Sequence, residues 1–317
     1  IAGAIPERTK FNGWLVFGGI WAILVYFPVA HWVWASGGWI FEMGVIDFAG
    51  GTAVHINAGA AALALAIVIG KRTGWPKTPM RPHNLTLVMI GAGLLWFGWF
   101  GFNAGSALAA DNTSAVVFLN TFAATCAAAI GWLVVEKLRD GHITTLGAAS
   151  GIVAGLVAIT PACSAVSPIG ALIVGILAGV ICALAVGLKY RFGYDDSLDV
   201  VGVHLVGGLL GTLLIGFLAT DLAPAGVNGL LYGGGGEQLG KQAIGAFSVM
   251  GYSFVVALII GLILRAAGIM RVSRDEELSG IDLAEHAESA YEFGETGGGG
   301  HFAGIGAGAA RRDREEI

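Results

Sequence analysis

Charge is scarce in this sequence. Of its 317 residues only 12% are Asp, Glu, Lys or Arg, while 56% are hydrophobic, and the mean hydropathy is +0.76. Soluble domains carry about 25% charged residues, so a water-soluble globular fold is excluded. Lys and Arg number 17 against 22 acidic residues, and no basic stripe suits a nucleic acid. Cysteine is nearly absent. Cys126 and Cys182 lie in apolar runs and Cys163 in a short loop, with no CxxC spacing, so neither a disulfide framework nor a zinc site is indicated. An initiating Met and a signal-peptide pattern are also missing. The opening Ile1-Ala-Gly-Ala-Ile-Pro6-Glu-Arg8 reads like the tail of an earlier helix, so the expectation is a chain without its N-terminal part.

What is present is a series of long apolar runs. Eight can span a bilayer, roughly Trp14–Trp34, Phe48–Gly70, Leu85–Ala107, Ser114–Val135, Thr145–Pro161, Gly170–Leu188, Val200–Leu218 and Phe247–Leu264. A hydrocarbon core needs about 20 apolar residues per helix. Runs this long must be helices, because each must satisfy its own backbone hydrogen bonds in lipid. Gly is plentiful at 52 residues, and within apolar runs small residues let helices approach closely. The predicted fold class is an all-α polytopic membrane protein.

Loop charges test this reading. Arg8 and Lys10 precede the first run; Lys71, Arg72, Lys77 and Arg81 follow the second. Lys137 and Arg139 follow the fourth, Lys189 and Arg191 the sixth, and Arg265, Arg271 and Arg274 the eighth, while the alternate loops hold only Lys241. Positive charge marks the cytoplasmic side, so eight spans with a cytoplasmic C-terminus are expected. Residues 1–266 then form a transmembrane domain and 267–317 a cytoplasmic tail. The tail holds the acidic stretch Asp275–His286, Gly297–Gly300 and the charged end Arg311–Ile317. It reads either as a solvated segment or as one that folds against a partner.

An internal echo organises the polar residues. Asp47 stands eight residues before His55, and Asp196 eight before His204, with similar flanks: Gly-Thr-Ala-Val-His55-Ile-Asn-Ala-Gly and Val-Val-Gly-Val-His204-Leu-Val-Gly-Gly. His55 is on the second run and His204 on the seventh, so their helices run in opposite directions, the sign of an inverted-topology repeat. Eight helical residues rise about 12 Å, close to the half-thickness of about 15 Å of a hydrocarbon core. Both imidazoles can therefore meet near the midplane, where an ionisable group marks a solute pathway. Asp47 is a candidate N-cap of its helix, accepting backbone N–H bonds, and Asp196 and Asp199 are candidates for the other half. On the third run Trp99, Phe102 and Ser106 fall at i, i+3 and i+7, on one helical face, and Trp34 closes the first run at the same outer level. Ring faces attract a small cation and a hydroxyl can accept its hydrogen bond.

Together Asp47-Phe-Ala-Gly-Gly-Thr-Ala-Val-His55-Ile-Asn-Ala-Gly, Gly98-Trp-Phe-Gly-Phe-Asn-Ala-Gly-Ser106, Thr160-Pro-Ala-Cys163 and Asp199-Val-Val-Gly-Val-His204 resemble the ammonium transporter family, Amt/Mep and its Rh relatives. The resemblance implies eleven helices, two five-helix halves in inverted repeat, and a homotrimer in the cell membrane; about eight of the eleven lie here. It implies transport of ammonium or ammonia, not enzymatic catalysis, and no cofactor. Trp34, Trp99 and Ser106 resemble the outer recruitment site, Phe102 one ring of a phenylalanine gate, and Asp47 the buried aspartate beneath that site. His55 and His204 resemble the paired pore histidines and Thr160 a lining residue. The other gate ring belongs to helices outside this chain, and the loop from Trp34 to Asp47 is one residue longer than the commonest pattern. Ser279-Gly-Ile-Asp-Leu-Ala-Glu-His286 resembles the segment that meets a PII-type signal protein in many bacterial members. Three alternatives stay open: a channel for another neutral solute such as urea, a sensor with little flux, and a membrane redox protein using His55 and His204 as haem ligands.

Overall fold

The computed structural model describes residues 1–78 and 80–291. Gly297–Gly300 and Arg311–Ile317, named above for the tail, lie outside the described residues. The chain divides into two compact units, Ile1–Leu278 and a second beginning at Ser279.

In the first unit eight helices are long and apolar enough to cross a membrane: α1 Phe11–Glu42, α2 Gly51–Ile69, α3 Leu85–Ala107, α4 Asn112–Asp140, α5 Thr145–Ala162, α6 Pro168–Phe192, α7 Val201–Leu218 and α8 Glu237–Ala266. No strand occurs among the described residues, only the isolated bridges Thr9–Arg271 and Val166–Ala219. The short α9, Arg274–Ser279, follows α8. The second unit carries α10, Ile281–His286, closed by a left-handed Ala287.

Local chemistry sets the boundaries. Asn84 and Thr144 cap α3 and α5 by accepting the N–H of Leu87 and Gly147. Asp111 and Ser114 form a reciprocal capping box on α4, two orphan donors satisfied together. Ser167 caps α6, whose first residue is Pro168, where a missing N–H costs nothing. The last span starts ten residues before the apolar run predicted at Phe247, because Gln238 and Gln242 in its first turns are buried rather than solvated.

Small residues hold the bundle together. The Gly175 and Gly179 positions of α6 press on α4: a Cβ at either would strike the carbonyls of Ala124 and Ala128. Backbone approach of this kind replaces the hydrophobic drive that lipid removes. The core on that side is Val117, Ala124, Ala128, Ala158, Ile159, Ala162, Ala171, Val174 and Ala178.

Both helices that carry the echoed histidines begin with a wide π turn, Gly51–Ile56 and Val201–Leu205. π turns are rare and cluster at functional sites. The repeat seen in sequence therefore extends to backbone geometry.

Candidate functional site

Asp47 begins the site. It precedes α2, is 6% exposed, and its two carboxylate oxygens accept four backbone N–H groups: Gly50 at 2.9 Å, Gly51 at 2.6 Å, and Thr52 and Ala53 at 2.9 Å each. These are the orphan donors of a helix start. Burial pushes the carboxyl's pKa up while the four N–H groups pull against it. Its carbonyl accepts the Trp34 indole N–H at 2.8 Å, and the edge of that ring lies beside Gly50.

The second half repeats the device in reduced form. Asp196 accepts the N–H of Val200 at 3.0 Å and of Val201 at 2.7 Å. Asp199, expected to share the capping, instead pairs with Lys189 at 2.7 Å and sits at φ 60°. Its carboxylate is engaged by the Lys189 ammonium, while Asp196 takes the backbone N–H groups at the head of α7.

Each cap places a histidine two turns further on, and the two meet. His55 Nδ1 lies 3.4 Å from His204 Nδ1, with ring centroids 5.4 Å apart. Only one hydrogen fits between them, so one ring donates and the other accepts, and the outer nitrogens then have opposite roles. His55 Nε2 is buried with no hydrogen-bond partner among the described residues.

Aromatic rings of α3 enclose His55. Its ring stacks on Trp99 at 5.3 Å and 21° and meets Phe102 at 6.2 Å, while Trp99 and Phe102 pack edge to face at 5.5 Å. These three rings, with Gly91, Leu94, Leu95 and Gly98, line a cavity of about 500 Å³. Apart from the His55 imidazole and the Trp99 indole, whose N–H points to Thr160, the side chains of this wall are wholly apolar. Thr160 is fully buried behind this wall, accepting the Trp99 indole N–H at 2.9 Å. Its hydroxyl also reaches Asn103 Oδ1 at 3.2 Å, and Asn103 Nδ2 donates to Thr121 of α4 at 3.1 Å.

The expected single face of Trp99, Phe102 and Ser106 holds only in part. Regular α-helix stops at Asn103 and tightens into a 3-10 turn over Ala104–Ala107, which rotates Ser106 away from the i+7 direction. The Ser106 hydroxyl donates to the Phe102 carbonyl at 2.7 Å, leaving its lone pairs free to accept. Trp34 is tied to the head of α2, whereas Trp99, Phe102 and the two histidines form the ring cluster.

Sequence reasoning missed the Asn103–Thr121 link, the glutamines of α8 and the glycines one turn past each histidine. Only the last had a signal, since Gly59 and Gly208 stand in the flanks of the echo.

Comparison with known proteins places the chain in a family. The model of the Ammonium Transporter Family matches residues 1–291. An ammonium transporter of Mycobacterium tuberculosis (strain ATCC 25618 / H37Rv) is 62% identical over 307 residues, 92% of this chain. The chain spans 64% of the length of that relative. Among solved structures, Saccharomyces cerevisiae Mep2 superposes with a TM-score of 0.79 at 35% identity, over 86% of this chain and 63% of its own. A structure described as a Sensor Amt Protein does so at 0.81 and 34% identity, over 89% and 72%. With its eight apolar helices, the chain is a multi-pass membrane protein and belongs to the Ammonium Transporter Family.

Proposed function

We propose that this chain forms the larger part of a pore that carries ammonium or ammonia across the cell membrane. The observation that carries the reading is the buried imidazole pair, His55 Nδ1 to His204 Nδ1 at 3.4 Å, with Trp99 and Phe102 against it. Ammonium arrives at the outer end, where Trp34, Trp99 and the accepting lone pairs of Ser106 hold it, with Asp47 fixing the Trp34 indole. Beyond Phe102 the wall is apolar, and a bare cation there loses its hydration without compensation. Giving up one proton, to water or to the histidine pair, is the cheaper route and leaves ammonia to pass.

The histidine pair suits that neutral guest. With one proton between the Nδ1 atoms, one outer nitrogen is a donor and the other an acceptor. Ammonia offers one lone pair and three N–H bonds, so it can satisfy both in turn. The two roles reverse only when two protons move: one passes between the Nδ1 atoms while the ring that gave it gains a proton on its outer nitrogen and the ring that took it loses one from its own.

Loop charges favour a cytoplasmic C-terminus, with residues 1–266 as the transmembrane domain and 267–317 as a cytoplasmic tail. Within this reading the protein assembles as a homotrimer in the lipid bilayer and its tail, around Ser279–His286, meets a PII-type protein. A second reading, a sensor with little flux, draws on the likeness to the Sensor Amt Protein.

The test is a solid-supported-membrane current on the purified protein with ammonium and methylammonium pulses. His55→Ala and His204→Ala reduce or alter the current while the oligomer stays assembled. Unchanged current and selectivity in either variant overturn the pore assignment. A wild-type protein that binds ammonium without sustained current favours the sensor, and growth on low ammonium of a strain lacking its own uptake separates the ammonium transporter from a urea channel.

A further inference from the structure

Gln242 lies on α8, far along the chain from every residue of the candidate site, and is fully buried. All of its amide valences are used. Oε1 accepts the backbone N–H of Ile46 at 2.7 Å and the Gln238 amide at 3.0 Å. Nε2 donates to the Ile46 carbonyl at 2.8 Å and to the Thr212 carbonyl at 3.2 Å. The partners fix the orientation, since only one arrangement lets Ile46 both give and receive.

Gln242 thus pairs with Ile46 as a neighbouring strand would, at a place where the chain has no strand. One turn earlier Gln238 donates to the Gly44 carbonyl at 3.1 Å. The connection between α1 and α2 is thereby pinned to α8 by side-chain amides. The residue after Ile46 is Asp47, whose carbonyl receives the Trp34 indole and whose carboxylate heads α2. The third partner, Thr212, is on α7 eight residues past His204, and its hydroxyl lies 3.3 Å from that of Thr52 on α2.

We propose that Gln242 is the positioning residue of the outer end of the site: by clamping both polar groups of Ile46 it sets where Asp47 presents its carbonyl, and so where the Trp34 ring stands. The proposal rests on reading Trp34 as a ring of the outer recruitment site. Gln242 never meets the solute and acts only through Trp34.

The test uses the full-length protein and the concentration dependence of methylammonium uptake in Gln242→Met, Trp34→Leu and the double variant. Loss of hydrogen bonds of this strength gives about a fivefold rise in half-saturating concentration for Gln242→Met, with maximal rate per assembled oligomer little changed. A merely structural glutamine would lower assembled protein and maximal rate instead, leaving half-saturation alone. In the Trp34→Leu background Gln242→Met adds nothing further to half-saturation, because the ring it positions is gone. If Gln242→Met does not assemble, Gln242→Asn decides, since it keeps an amide in the core but is one methylene too short to clamp Ile46. Half-saturation unchanged in the glutamine variant while Trp34→Leu raises it overturns this inference alone. Independent, additive effects of the two substitutions do the same. Unchanged half-saturation in Trp34→Leu overturns the outer-site reading and the inference with it.

Discussion

Gly59 and Gly208 occupy equivalent places in the two halves, each one turn past its histidine and each at the contact between α2 and α7. A Cβ at Gly59 would strike the backbone of Leu205, and one at Gly208 would press on the Gly51 carbonyl and the Cβ of His55 at 3.0 and 3.1 Å. The imidazoles can approach to 3.4 Å because the helices behind them touch backbone to backbone. Gly59→Ala should therefore cost about 1–3 kcal/mol of stability through overpacking and lower flux steeply by driving the rings apart. Gly208→Ala, with gentler contacts, should cost less. Melting of the purified protein together with uptake per folded protein checks both, and full activity in Gly59→Ala would show that the close approach is dispensable.

Ser106→Leu removes the hydroxyl that is free to accept at the outer end. On the proposed transport reading, uptake should fall chiefly at low ammonium concentration and recover at high concentration, because the substitution leaves the apolar wall at Phe102 untouched. A proportional fall at every concentration would contradict a recruitment role.

How much of this was legible in the sequence depended on periodicity. The spans were, because a bilayer demands long apolar runs and alternate loops carry the Lys and Arg residues; the Gly-rich segment predicted at Thr145–Pro161 is the helix Thr145–Ala162. The meeting of His55 and His204 was legible from a doubled Asp-to-His spacing. The beginning of α8 was not, since Glu237, Gln238, Lys241 and Gln242 look like a loop until the partners of the two glutamines are seen. The 3-10 turn at Ala104–Ala107 and the π turns leave no composition signature, and an isolated Asn103 in an apolar run does not announce that its partner is Thr121 on another helix.

Asp196 makes stability depend on pH with a definite sign. Burial pushes its carboxyl up to about 6 from the ordinary 3.8, against the N–H groups of Val201 and Val200 and the charge of Lys189, with Asp199 adding to the rise. The folded chain therefore holds this proton more tightly than the unfolded chain. The stability it contributes is fully present below about pH 4, falls as pH rises through about 6, and is level above. The total is about 3 kcal/mol. The melting temperature of the wild type minus that of Asp196→Asn should decline across this window, and a difference that is flat or rises with pH would contradict the assignment.

Arg8 ties three segments together. Its guanidinium is fully buried and donates to the carbonyls of Gly70 at 2.8 Å, Ala4 at 3.0 Å and Asp195 at 2.6 Å, and to the Ser197 hydroxyl at 2.9 Å. Arg72 completes the group with a two-pronged pair to Asp195 at 2.9 Å on each oxygen. Arg8→Met leaves those three carbonyls without this donor, at about 1–3 kcal/mol for each buried acceptor left unsatisfied. Arg8→Lys should recover only part of that, because an ammonium has three donors on one atom and cannot reach partners spread around a planar fork. Thermal melting of the two variants checks the order.

Thr160 offers the sharpest test of the ring cluster, because its hydroxyl holds Trp99 from behind without facing the cavity. Thr160→Val keeps the shape and removes the acceptor, stranding the indole N–H at a cost of about 1–3 kcal/mol. The ring can regain a partner only by tilting, and a tilt disturbs its 5.3 Å stack on His55. Flux should fall in Thr160→Val and return in Thr160→Ser, which restores the oxygen with less bulk. Indole fluorescence in a background that keeps Trp99 as the only tryptophan should shift in the valine variant and not in the serine one. A valine variant with normal flux and an unshifted spectrum would mean that packing against Phe102 and His55 alone holds the indole.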